Sequence, residues 1–122
     1  MCKASDLSPP LVGHMMHPFL AHLIGDFILQ NEWMATNKKR SSVACAVHTL
    51  VYLIPFLLCD LQWWQIAVIG MQHFAQDRSG FILWWMRVWK RSHPEHWKEL
   101  PLYVDQAFHL VWIQIVIWLG AI

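Results

Sequence analysis

Four apolar stretches, joined by short polar links, fill most of this chain. They cover residues 11–30, 43–59, 61–85 and 102–122. Each is close to the ~20 residues that an α-helix needs to cross a hydrocarbon core. A backbone in lipid must satisfy its own hydrogen bonds, so stretches of this kind fold as helices. The expected fold is therefore all-α: a polytopic membrane bundle of four transmembrane helices, forming one domain over residues 1–122. The short links make neighbouring helices antiparallel. Pro9 and Pro10 suit a helix start, where a missing N–H costs little. Pro18 is expected to kink the first helix, Ser41 or Ser42 to cap the second, and Pro55 to bend it. Pro101 stands near the start of the fourth.

Composition agrees with this reading. Hydrophobic residues make up 57% of the chain and charged residues 14%, an apolar excess too large for an ordinary soluble domain. Several of the nine Trp residues sit where apolar runs end, as in the aromatic belts at lipid headgroup level. The N-terminus lacks a basic region followed directly by an apolar core, so the first helix is expected to be retained. Cys2, Cys45 and Cys59 form no CxxC pair and read as free thiols. A net charge of +1 gives no reason to expect a nucleic-acid partner.

The distribution of charge sets an orientation. Lys38, Lys39 and Arg40 lie between the first two stretches, and Arg87, Lys90, Arg91 and Lys98 between the last two. The link around Asp60 has no basic residue. Both basic links then face the cytoplasm, in an inner membrane, and both termini lie outside. Binding of lipid phosphates by these links predicts the same orientation.

Ionisable side chains inside apolar runs are expensive and tend to be functional. The first stretch holds His22 and Asp26, the second His48, the third His73 and Asp77, the fourth Asp105 and His109. In three stretches His and Asp stand four residues apart, on one helix face. Alternating helix directions bring all seven to one depth, in the cytoplasmic half. Each Asp can simply accept a hydrogen bond from its own His. The shared depth of seven groups favours bound metal instead, with His22, Asp26, His48, His73, Asp77, Asp105 and His109 as ligands or as partners that orient a ligand. Imidazole and carboxylate together suit Zn first, then Mn or Fe, better than Ca or Cu(I). Seven groups exceed one tetrahedral zinc, so one supported metal and a two-metal site both remain open.

Other polar residues are weaker candidates. His14 and His17 read as packing or interfacial residues, and His93 and His96 as a solvated part of the basic link. Gln30, Asn31 and Asn37 are placed to line the cytoplasmic mouth of the cluster. Gln106 faces another side of its helix from Asp105 and is expected to bond a neighbouring helix. Arg78, next to Asp77, is the candidate for pairing with a substrate phosphate.

The run His22-Leu-Ile-Gly-Asp26-Phe27-Ile-Leu29-Gln30, with Trp33, Asn37-Lys38, His48, His73-Phe74, Asp77, Asp105-Gln106 and His109, resembles a family of small bacterial and phage membrane proteins, Domain of Unknown Function 3307. The resemblance covers Ala21 to His109. It implies a polytopic inner-membrane protein whose characteristic positions are these His and Asp residues, and it implies no settled activity.

Four functions fit the residues. The first is a metal-dependent membrane hydrolase acting on a lipid or lipid-linked headgroup, in which Asp26, Asp77 or Asp105 serves as general base. The second is a small transporter that relays protons or passes a metal ion, with oligomerisation to enlarge it. The third is a haem subunit, which the Asp beside each His disfavours. The fourth is an accessory subunit of a larger membrane complex, in which the polar set fixes helix register.

Overall fold

The computed structural model describes residues 16–122. Cys2, Pro9, Pro10 and His14 lie outside the described residues, as does the start of the first stretch. The described residues are all helical or irregular: α1 (Pro18–Leu23) continued by a π-helical turn (Ile24–Ile28), α2 (Glu32–Asn37), α3 (Ser42–Leu53), α4 (Trp63–Arg78), α5 (Phe81–Val88) and α6 (Leu100–Ala121). Short 3-10 turns follow at Pro55–Leu58 and Pro94–His96.

Local chemistry sets the boundaries. Pro18 does not kink a helix; it opens α1, where its ring fits the first turn. The ring of His17 caps that helix, with Nδ1 accepting from the Phe19 N–H at 3.1 Å. Asn31 caps α2 through the Met34 N–H (2.9 Å), and Ser41 caps α3 through the Ala44 N–H (3.2 Å). α3 stops at Leu53, and Pro55 starts a 3-10 turn rather than bending a continuing helix. The third apolar stretch, expected as one helix to Trp85, is two. Ser79 turns extended (φ −87°, ψ 166°), and its hydroxyl accepts from the Phe81 N–H at 3.4 Å, so the chain restarts as α5. A Ser-Gly pair offers the backbone this alternative to helix.

α3 packs on α4, α4 on α6, and α1 on α6, with the π-helical turn against α3. Gly25 makes that last approach possible. A Cβ there would lie 2.7 Å from Tyr52 Cδ2 and 2.8 Å from the Tyr52 carbonyl oxygen, so only glycine lets the two backbones close up. One end of the interior is apolar: Ala21, Tyr52, Phe56, Cys59, Ile69, Ile113 and Val116. The other end holds the His and Asp residues. Cys45 and Cys59 are buried free thiols.

The outside is apolar too. Ile28, Val43, Leu50, Leu57, Trp63, Met71 and Trp118 are all more than three-fifths exposed, while His22, His48 and His73 have no exposed surface. α6 is 22 residues long and apolar enough to cross a membrane; Pro18–Ile28 and Ser42–Leu58 are shorter apolar segments.

Candidate metal centre

Each of the seven residues comes from an element that faces the interior. Asp26 sits in the π-helical turn, where the Leu29 N–H reaches back five residues to the Ile24 carbonyl at 2.9 Å. Such wide turns re-aim a side chain and recur at functional sites. His22 precedes it on α1, His48 lies on α3, His73 and Asp77 on α4, and Asp105 and His109 on α6. All seven meet in one cluster. His22, Asp26, His48, His73, Asp77 and His109 are at most 4% exposed; Asp105 keeps 15% of its side chain exposed.

The centre of the cluster is Asp26, His48, His73 and Asp77. His48 Nε2 and His73 Nε2 stand 2.9 Å apart. Asp77 Oδ2 lies 3.1 Å from the first and 3.0 Å from the second. Asp26 Oδ1 lies 3.2 and 3.5 Å from the same two nitrogens. With both carboxylates ionised, no placement of protons on the two imidazoles satisfies every one of these contacts. Two N–H groups would point at each other, whereas a bare nitrogen would direct its lone pair at a carboxylate oxygen. Asp26 Oδ1 has no hydrogen-bond partner although it is buried. A tetrahedral site with ligand bonds of 2.0–2.2 Å has edges of about 3.3–3.6 Å. Four of the five separations observed, 2.9–3.2 Å, fall just short of that range and the fifth, 3.5 Å, lies within it, so a small outward shift brings the set to tetrahedral spacing. The four side chains therefore fit a small divalent ion.

Around this centre runs a hydrogen-bonded frame. The Tyr52 hydroxyl donates to His22 Nδ1 at 2.7 Å. The opposite nitrogen of His22 then donates to the Gln106 side-chain carbonyl. The Gln106 amide donates to Asp26 Oδ2 (3.3 Å) and Asp105 Oδ2 (3.1 Å). A second relay starts at Gln72, whose amide donates to Gln76 Oε1 at 2.6 Å. The Gln76 amide donates to Asp105 Oδ1 at 2.8 Å. Fixed partners of this kind hold carboxylates and imidazoles in the orientation a metal requires.

Lys38, from the link between α2 and α3, donates to Asp77 Oδ2 at 3.0 Å. Burial opposes the charge on Lys38, but Asp77 beside it, with Asp26, holds the ammonium above the usual lysine range. Lys38 also lines a cavity of about 230 Å³ that leads from the surface to the cluster. Lys39, Asp77 and Asp105 form its polar wall, and Leu83 and Leu102 an apolar one.

The other sequence candidates have structural partners. Arg78 donates to the Ser42 hydroxyl (3.1 Å) and the Lys39 carbonyl (2.7 Å), which braces the basic link. Gln30 donates to the Asp26 carbonyl and Asn37 to the Trp33 carbonyl, while Asn31 is the cap of α2. Sequence reasoning missed Tyr52, Gln76 and Lys38. Tyr52 is four residues after His48 and Gln76 three after His73, so helical spacing alone places both on faces already marked. Lys38 stood in the run that carries the family resemblance, but its place beside Asp77 was missed, because a loop lysine among other basic residues reads as surface.

A family model described as protein of unknown function (DUF3307) matches residues 15–122. The chain belongs to the DUF3307 family. That match spans every residue of the cluster, so the metal-like geometry lies within the segment that defines DUF3307. No curated protein and no solved structure matches the chain.

Proposed function

We propose that this DUF3307 protein is a membrane-embedded, metal-dependent hydrolase acting on a lipid or lipid-linked headgroup that carries phosphate. The observation that carries this reading is the Asp26–His48–His73–Asp77 set, whose close contacts protons on the imidazoles cannot all satisfy while both carboxylates are ionised, and whose spacing is near that of a divalent-ion site. Zn suits the mixed imidazole and carboxylate set best, with Mn or Fe next. Such an ion would lower the pKa of a water and supply a nucleophile at neutral pH.

The rest of the chemistry falls to the chain. Lys38 and Lys39 at the cavity wall attract an anionic headgroup, and Leu83 and Leu102 accept its apolar part. Asp105 borders both the cluster and the cavity and is the carboxylate suited to take a proton from water. Two buried carboxylates and the partly exposed Asp105 against one ammonium leave the set negative, so a cation is favoured there.

The membrane setting is supported by inverted polarity. Charged groups are buried at the centre while Ile28, Val43, Leu50 and Trp63 face outward. An exterior this rich in large apolar side chains suits a surface facing lipid. Four crossings follow if α1 with its π-helical turn, α3 and α4 pass the bilayer beside α6. The basic links would face the cytoplasm of an inner membrane, on the side of the cavity. Transport is less favoured. Among the described residues, the core beyond the cluster is built of Phe56, Ile69, Ile113 and Val116, which offer no relay.

The test is metal content of the detergent-purified protein. We expect at least one tightly held ion per chain, lost in His48→Ala, and a melting temperature that falls on chelation. Metal-free preparations whose melting is indifferent to chelator overturn the reading.

A further inference from the structure

The geometry points to a second divalent-metal position, held by Asp77, Asp105 and His109, which shares Asp77 with the first and opens on the Lys38–Lys39 cavity. It rests on the reading that the first set takes a metal.

His109 carries the argument. It is 1% exposed, and its Nε2 has no hydrogen-bond partner. Its Nδ1 lies 3.0 Å from the Asp105 backbone carbonyl and 3.0 Å from the Gln76 amide nitrogen; that amide already serves Asp105 Oδ1 and its carbonyl, which leaves Nδ1 free to donate to the carbonyl. Nε2 is then a bare lone pair, and it faces Asp77 Oδ1 at 3.6 Å. In this tautomer two acceptors face each other in a dry interior, which favours a cation between them. A protonated ring would instead have closed on the carboxylate to about 2.7–2.9 Å. Backbone anchoring of one nitrogen with the other left bare is the usual disposition of a metal-binding histidine.

Asp77 is built to be shared. Its Oδ2 faces His48 and His73, and its Oδ1 faces His109. A carboxylate whose two oxygens serve two ions is what brings metals to about 3.5–4 Å in two-metal hydrolytic sites. His22 is a poorer candidate for this position. Both its nitrogens are engaged, one by the Tyr52 hydroxyl and the other by Gln106.

The two positions differ in access. The first has four protein ligands, all buried, and meets the cavity only at Asp77, so it leaves less room for water. The second has three, and Asp105 and Asp77 line the cavity. Three ligands with an open side are the mark of a catalytic ion. Binding through one oxygen would leave Asp105 its other for a proton. One divalent ion offsets the excess negative charge of the carboxylates over Lys38. A second makes the site positive, which suits a phosphate-bearing group at the Lys38 mouth.

The experiment measures metal per chain after loading with Mn²⁺ and removal of free ion, in wild type, His109→Ala and Asp105→Asn. We expect two ions in wild type and one in each variant. Electron paramagnetic resonance of the loaded wild type, which needs no variant, should show an exchange-coupled pair. One uncoupled ion in wild type, unchanged in His109→Ala, overturns the second position and leaves the first intact. Two ions retained in both variants also overturn the assignment to these residues. No ion in any preparation overturns both readings.

Discussion

Tyr52 lies flat against His73, with ring centroids 3.6 Å apart and planes within 12°, while its hydroxyl donates to His22 at 2.7 Å. One side chain on α3 thus positions imidazoles from α4 and α1. Tyr52→Phe keeps the stack and removes the donor, leaving His22 Nδ1 buried and unpaired. A loss of about 1–3 kcal/mol is expected. Tyr52→Ala also removes the stacked ring and opens a cavity, at a cost of about 3–5 kcal/mol. Thermal melts in detergent check the order. Equal melting of Tyr52→Phe and wild type would mean that His22 does not depend on this bond.

Gly25 is where the π-helical turn meets α3. Gly25→Ala would push a methyl group into the Tyr52 ring and its carbonyl oxygen, and the backbone oxygen cannot rotate away. Overpacking of this kind costs about 1–3 kcal/mol. Asp26, the next residue, moves with it, so metal retention should weaken along with stability. Gly80→Ala is the control, because a Cβ there meets nothing within 4 Å. The comparison to make is metal retention of the two variants during dialysis against a weak chelator.

Much of the cluster's membership was legible from residue spacing, and its wiring was not. His and Asp four residues apart mark one face of a helix, and all three such pairs point inward. The pairs suggest that each Asp serves its own His. Asp77 does, at 3.0 Å from His73, but Asp26 is 3.9 Å from His22 and 3.2 Å from His48, on another helix. Partner choice across helices depends on rotation and on the width of the π-helical turn, which periodicity does not encode. The same limit explains the third apolar stretch. Its hydropathy continues through Ser79–Gly80, while the backbone does not.

The Lys38–Asp77 contact gives the cavity its chemistry. Lys38→Met removes the ammonium, leaving Asp77 with its histidine partners and, in the holo protein, the metal. The expected outcome is unchanged metal content with at least tenfold weaker binding of a phosphate-bearing lipid, the loss of about 1.4 kcal/mol that one charge-assisted hydrogen bond supplies. Lys38→Arg should retain most of the affinity. In the metal-free protein the same Lys38→Met change should be far more damaging. It then leaves a buried carboxylate short of positive charge, at a cost of about 3–5 kcal/mol. Melting curves of wild type and Lys38→Met, each with and without metal, separate these effects. A Lys38→Met protein that loses its metal would place Lys38 in support of the ion rather than at the substrate.

Orientation gives a prediction independent of metal. If α1, α3, α4 and α6 all cross the bilayer, the link at Lys38–Arg40 and the turn at Asp60 lie on opposite sides. Topology reporters inserted at each point should therefore give opposite signals, with the basic link cytoplasmic. The link at Arg87–Lys98 should report like Lys38–Arg40. Lys38 and Lys39 line the cavity, so this result also assigns the side from which a headgroup enters. The same signal at Arg40 and Asp60 would leave α3 uncrossed. α6 would then be the helix with the length to span alone, and the buried cluster would have to lie at the membrane surface.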